Sequence, residues 1–243
     1  MPKICVSWLV FMALFLGVAH AETIVVAASG NAGLEPGTRL DESVAISLPA
    51  GARITVLSRS GAMQVLDGPY SGFPAGQAES DPGRTAEPRW SAVLALVGDP
   101  DARSNVMGAS RKTDGDFIVP PGIWHVSVDS SGPRCTEPEN VVLWRRDAAR
   151  AEAVSVRSAA GRLTDIDWPA GDQTLTLPSP FALDGRMMVS VGGDLRDLEL
   201  AVAPVDVAGG APGAILGWLV DRKCKRQALT LIERVHAGIG AGN

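Results

Sequence analysis

The chain has 243 residues and a formal net charge of −5, with 46% hydrophobic and 20% charged residues. Nucleic acids and anionic membrane surfaces are bound through concentrated Lys and Arg, and this acidic chain carries no basic cluster. Its only basic concentrations, Arg145-Arg146 and Arg222 to Arg226, read as solvated faces or helix C-terminal charges.

The N-terminus has the three-part layout of a secretory signal peptide. Lys3 supplies the positive end, an apolar run extends from Ile4 to Ala19, and Ala19-His20-Ala21 is a small-x-small cleavage site before Glu22. The run is short for a bilayer span, which takes about 20 apolar residues. Cleavage between Ala21 and Glu22 is therefore expected, with a retained anchor as the alternative. The mature chain would be periplasmic or secreted, with no stable membrane span. It keeps two of its three cysteines, because Cys5 leaves with the signal. An even pair in an oxidising compartment predicts one disulfide, Cys135 to Cys224.

Thr23 to Ala28 is β-branched and reads as a first strand, and Ser43 to Leu48 as a second. Arg53 to Ser58 and Ala62 to Leu66 flank Arg59-Ser60-Gly61, the clearest hairpin signal in the chain. Gly68-Pro69 ends it, since proline cannot continue a paired central strand. Residues 71–89 are rich in Gly, Pro and Ser and read as a loop or linker. Trp90, Val93, Leu94 and Val97 recur at helical spacing and predict a short helix stopped by Gly98-Asp99-Pro100.

From Phe117 the period becomes two. Trp124, Val126 and Val128 alternate with polar residues, as do the apolar sets at 154–156, 166–168, 175–177, 187–191 and 198–202. Val141 to Trp144 is apolar on both faces and reads as a central strand. Turn residues separate these runs, Ser131-Gly132-Pro133 among them. Short strands at this spacing, with no helices between them, predict an antiparallel sandwich or barrel. Pro212 then opens a first C-terminal helix. Cys224, Ala228, Leu231, Ile232 and Val235 share one face of a second.

The expected architecture is mainly β: an antiparallel β-sandwich or barrel-like domain with an N-terminal hairpin region, one short middle helix and a C-terminal helical hairpin. The organisation runs as signal peptide 1–21, hairpin region 22–85, short helix and linker 86–115, sandwich 116–206, and helices with a flexible tail 207–243.

Catalysis needs a base, a nucleophile or a metal held in one place. His125 falls on the polar face of its strand, and His236 in a last helical turn, where partial positive charge suits the dipole. No GxSxG, SxxK, HExxH, Walker A, GxGxxG or calcium-loop pattern occurs. Gly68-Pro69-Tyr70-Ser71-Gly72 has the wrong spacing for a nucleophile elbow and reads as a turn. The carboxylate pairs Asp114/Asp116, Asp165/Asp167 and Asp194/Asp197 read as solvated faces, and the tryptophans at 90, 124, 144, 168 and 218 as core. No catalytic, cofactor-binding or metal-binding residue is assigned, and no cofactor is expected.

The stretch Leu48-Pro49-Ala50-Gly51-Ala52-Arg53-Ile54-Thr55-Val56-Leu57, with Gly68-Pro69-Tyr70-Ser71-Gly72, resembles the β repeat of FecR-like periplasmic domains over about forty residues. The same residues, together with Leu143-Trp144-Arg145, the Asp167-Trp168-Pro169-Ala170-Gly171 turn, and Cys224 with Gln227, give the chain a further resemblance to exported proteobacterial proteins of unassigned activity. The resemblance implies an envelope location and no activity. The expected function is an exported, non-catalytic accessory or binding module, partnered by another envelope protein. The alternatives are an envelope-polymer hydrolase using His125 and a carboxylate, and a structural envelope component.

Overall fold

The computed structural model describes residues 22–74, 90–99 and 120–240. The expected signal segment with Ala21, most of the Pro- and Gly-rich stretch (75–89), the Asp114/Asp116 pair and Phe117 lie outside the described residues.

The described residues are mainly β. The first sheet is antiparallel, with β1 (Glu22–Ser29) and β4 (Arg53–Ser58) central and β2 (Arg39–Asp41) and β5 (Met63–Asp67) at its edges. Both its faces are covered. Ile24 and Leu57 face one apolar cluster, while Val25, Ile54 and Val56 face another. A register shift between Val25 and Ala27 lets Val26 and Ala27 face the same cluster although they are consecutive. One extra residue in a strand reverses the alternation beyond it. The expected hairpin is β4–β5, with Leu57 opposite Met63 and Gly61 in the turn at φ +81°.

Of the expected strand at 43–48 only Ile46–Leu48 is strand (β3); residues 42–45 form a turn between it and β2. The Asp41 carboxylate accepts hydrogen bonds from the Ser43 amide and hydroxyl, and such a side-chain turn breaks the ladder. β3 pairs with β6 (Tyr70–Gly72), so the stretch read as linker begins with a strand.

The helix expected at the start of the middle segment is α1 (Trp90–Val97), with Val93, Leu96 and Val97 buried.

The sandwich packs two sheets together. The smaller places β9 (Val142–Trp144) between β12 (Thr174–Thr176) and β7 (Val126–Ser127), so β9 is central as its two-faced apolar pattern requires. The larger runs β11 (Gly161–Trp168), β10 (Glu152–Ser158), β13 (Gly185–Val191), β14 (Asp194–Val202), β8 (Gly132–Thr136). Val154, Val156, Met187, Val189, Leu198 and Leu200 from the larger sheet meet Val126, Leu143 and Leu177 from the smaller sheet and its margin in one core. Each such fully buried side chain contributes about 1.5–3 kcal/mol.

Two parallel pairs enter this otherwise antiparallel arrangement, β7 with β9 and β8 with β14. The stretch read as a Ser131-Gly132-Pro133 turn is largely strand β8. It is the edge strand of its sheet, where proline is tolerated because it leaves no central ladder bond unmade. Trp124, expected to alternate with Val126 in one strand, precedes β7 and packs instead among the helices.

Three helices close the chain: α2 (Val205–Ala208), which the sequence pattern did not announce, α3 (Pro212–Asp221), and α4 (Lys225–His236). Pro212 occupies the first turn of α3. Gly213 sits against the β4–β5 turn so closely that a Cβ would overlap the Gly61 carbonyl. Cys224, placed by its spacing on a helical face, is the N-cap residue of α4. Ile215, Leu216 and Leu219 of α3 and Ala228, Leu231 and Ile232 of α4 bury against β1, α1 and Trp124. Among the described residues, no helix is long and apolar enough to cross a membrane.

Candidate functional site

Three loops at one end of the sandwich enclose a cleft of about 340 Å³. They are the exit from β7 at Val128 and Asp129, the β9–β10 connection from Arg145 to Glu152, and the β13–β14 turn with Val191, Gly192, Asp194 and Arg196. Residues far apart in sequence meet here because β10 pairs with β13 and β9 lies beside β7.

The lining is charged with both signs. Most of its carboxylates are already engaged. Asp129 accepts hydrogen bonds from the Arg146 amide and the Ser127 hydroxyl, Asp147 from the Ala149 amide, and Asp194 from Arg196 at 3.3 Å. Glu152 is different: its carboxylate lies over Gly192, where a Cβ would overlap Oε2, and among the described residues no side-chain bond engages it. Gly192 has φ +56°, so glycine serves both the turn and the approach of Glu152.

The cations divide in the same way. Arg145 is 4% exposed and sits 4.7 Å from the Trp168 ring centroid. Its Nε donates to the Asp172 carbonyl at 3.0 Å and its Nη2 to the Pro169 carbonyl at 2.6 Å, which fixes the β11–β12 loop. Nη1 is buried and has no hydrogen-bond partner. Arg150 is exposed and, among the described residues, makes no bond to a neighbour. The second buried arginine, Arg134, instead has every nitrogen bonded. Its three nitrogens donate to the carbonyls of Ser127, Pro133 and Ser130 and to the Ser130 hydroxyl. Burial, helped by Arg226, brings its pKa down to about 10, so it stays charged at neutral pH.

Neither histidine enters the cleft. The His125 ring meets the Gly122 carbonyl at 3.1 Å, and among the described residues it has no hydrogen bond to a serine or carboxylate. Burial lowers its pKa. His236 is set between two hydroxyls, with Nε2 2.9 Å from Ser29 Oγ and Nδ1 2.9 Å from Thr55 Oγ1. The geometry superficially suits a serine and its base, but the electrostatics do not. Thr55 is neutral and gives an imidazolium no countercharge, while burial first and Arg53 second hold the His236 pKa down. Arg53 also donates to the His236 carbonyl, so the cluster latches the end of α4 onto β1 and β4.

Cys135 and Cys224 form a disulfide with their Cα atoms 6.0 Å apart. Asp165, Asp167, Asp194 and Asp197 are exposed, and Trp124, Trp144 and Trp168 are buried. Among the described residues, no group of three His, Cys, Asp or Glu side chains could hold a metal ion. Comparison with protein-family models, curated proteins and solved structures finds no match for this chain.

Sequence reasoning took Arg145-Arg146 for a solvated face and passed over Arg150 and Glu152. The available signal was charge density: five of the eight residues from Arg145 to Glu152 are charged, in a connection between two apolar strands. The Ser29 and Thr55 contacts of His236 carry no local signal, since they join residues about two hundred positions apart.

Proposed function

We propose that the chain is an exported, non-catalytic binding or accessory module of the cell envelope. The observation that carries this reading is the cleft. It presents both signs of charge on loops held by a rigid sandwich, and its lining contains no hydroxyl or thiol nucleophile and no imidazole. The disulfide supports an oxidising compartment, and the resemblance of residues 48–72 to FecR-like periplasmic domains supports the same placement.

Fractionation of cells producing the chain tests both halves. The protein should occur in the envelope or the medium with an intact mass beginning at Glu22. Crosslinking in the native envelope, followed by capture, should recover one stable partner. Full-length reduced chain confined to the cytoplasm would refute the reading.

A further inference from the structure

We propose that the cleft takes a small zwitterion, a ligand carrying a carboxylate and an ammonium on one short scaffold, of the amino-acid or short-peptide class. The inference rests on reading the chain as a binding module and adds the ligand chemistry.

The argument begins with what the lining leaves unused. Asp129, Asp147 and Asp194 are occupied by neighbours within the protein. Among the described residues, Arg150, Glu152 and the Nη1 of Arg145 have no such partner. Arg145 points most clearly to a ligand. A buried arginine normally finds a partner for each nitrogen, as Arg134 does here. In a guanidinium, Nε–H and Nη2 form one edge and Nη1 lies on the other. The Nε/Nη2 edge is committed to the loop carbonyls of Asp172 and Pro169, and neither residue belongs to the cleft lining. Among the described residues Nη1 therefore keeps donor capacity unspent, in a 4%-exposed side chain that lines the cleft.

Two cations with free donors and one carboxylate with free acceptors define the complement. A carboxylate suits Arg145 and Arg150, because guanidinium and carboxylate form charge-assisted hydrogen bonds. An ammonium suits Glu152, whose carboxylate is held over Gly192 at the opposite loop. A purely anionic ligand would meet the carboxylates of the lining, and a purely cationic one its arginines.

The test is a titration of the full mature chain with L-alanyl-L-alanine, followed by amide chemical shifts. Shifts should move at 128–129, 145–152 and 191–196, saturating with an affinity near the millimolar range. N-acetyl-alanyl-alanine lacks the ammonium and alanyl-alanine amide lacks the carboxylate, and each should bind at least tenfold more weakly. Arg150→Ala and Glu152→Gln should each weaken the parent dipeptide by a similar factor, while Arg186→Ala, on a strand face outside the cleft, should not. The ligand series needs no variant, so it holds even where a substitution perturbs folding. Absence of shifts at these three loops up to about 10 mM, or equal binding of the blocked dipeptides, overturns the assignment. Such a failure leaves the fractionation and capture results untouched, so the two readings fall separately.

Discussion

The sandwich and the helical layer solve the problem of cohesion in different ways. The sandwich core is built from strands whose inward residues repeat every second position. The helical layer is joined to the β elements by a few specific links. Cys224 bonds to Cys135 on β8. The Gln227 side chain accepts from the Cys135 amide and donates to the carbonyls of Cys135 and Ile123. His236 bridges Ser29 and Thr55 at the far end of the same helix. Repetition spreads the cohesion of the first region over many similar apolar side chains. The second should respond sharply, because each link closes a long loop of chain or satisfies buried backbone.

The largest test of this contrast is removal of the disulfide. Its cysteines are 89 positions apart, and the chain-entropy account gives about 4–5 kcal/mol as a ceiling for a loop of that size. Cys135→Ser with Cys224→Ser should lower the melting temperature and expose the amides of α3 and α4 to hydrogen exchange first. Protection in β10, β13 and β14 should persist longer. Simultaneous loss in both regions would show that they form one cooperative unit and break the comparison.

Gln227→Leu comes next. It keeps an apolar helix face but strips partners from the Cys135 amide and from two buried carbonyls. An unsatisfied buried group costs about 1–3 kcal/mol, and the carbonyls retain a second lone pair. A loss of about 2–4 kcal/mol by denaturant unfolding is expected. A loss below about 1 kcal/mol would mean that the layer rests on apolar packing alone, like the sandwich.

The same contrast explains what could be read from the sequence. Strands β10, β13 and β14 were legible because burial on one face imposes a period of two. The β4–β5 hairpin was legible because Gly61 marks its turn, and α1 because its apolar residues recur at helical spacing. The cysteine pair was legible by count, once Cys5 is assigned to the signal. Strand β8 was hidden because Gly132 and Pro133 are turn residues locally, and only its place at a sheet edge makes them acceptable. The late start of β3 was hidden because the bonds that Ser43 makes to the Asp41 carboxylate hold a turn where β propensity suggests a strand. The cleft was illegible for a deeper reason. Its three loops are brought together by strand pairing, and whether Arg145 is a solvated charge or a buried donor depends on the loop at 168–173 that it holds.

The smallest expected effect concerns the His236 latch and its dependence on pH. Burial, and after it Arg53, lowers the folded-state pKa of this imidazole, with Asp67 opposing. The unfolded chain titrates near the ordinary histidine value of about 6.5. Above that value both states are neutral and the latch is at full strength. As pH falls through it, the unfolded state takes up a proton that the folded state resists, so stability declines toward the lower folded value. His125 shifts in the same direction through burial, so the two add, and a melting curve alone cannot assign the slope. His236→Gln should retain hydrogen-bonding capacity toward Ser29 and Thr55 while removing one titration, leaving a shallower decline between pH 7 and 5. Direct observation of the ring by NMR decides the matter. A His236 midpoint at or above the ordinary value would mean that the imidazole is stabilised as a cation. The end of α4 would then be held by charge, and the latch assigned to the hydroxyls of Ser29 and Thr55 would have to be abandoned.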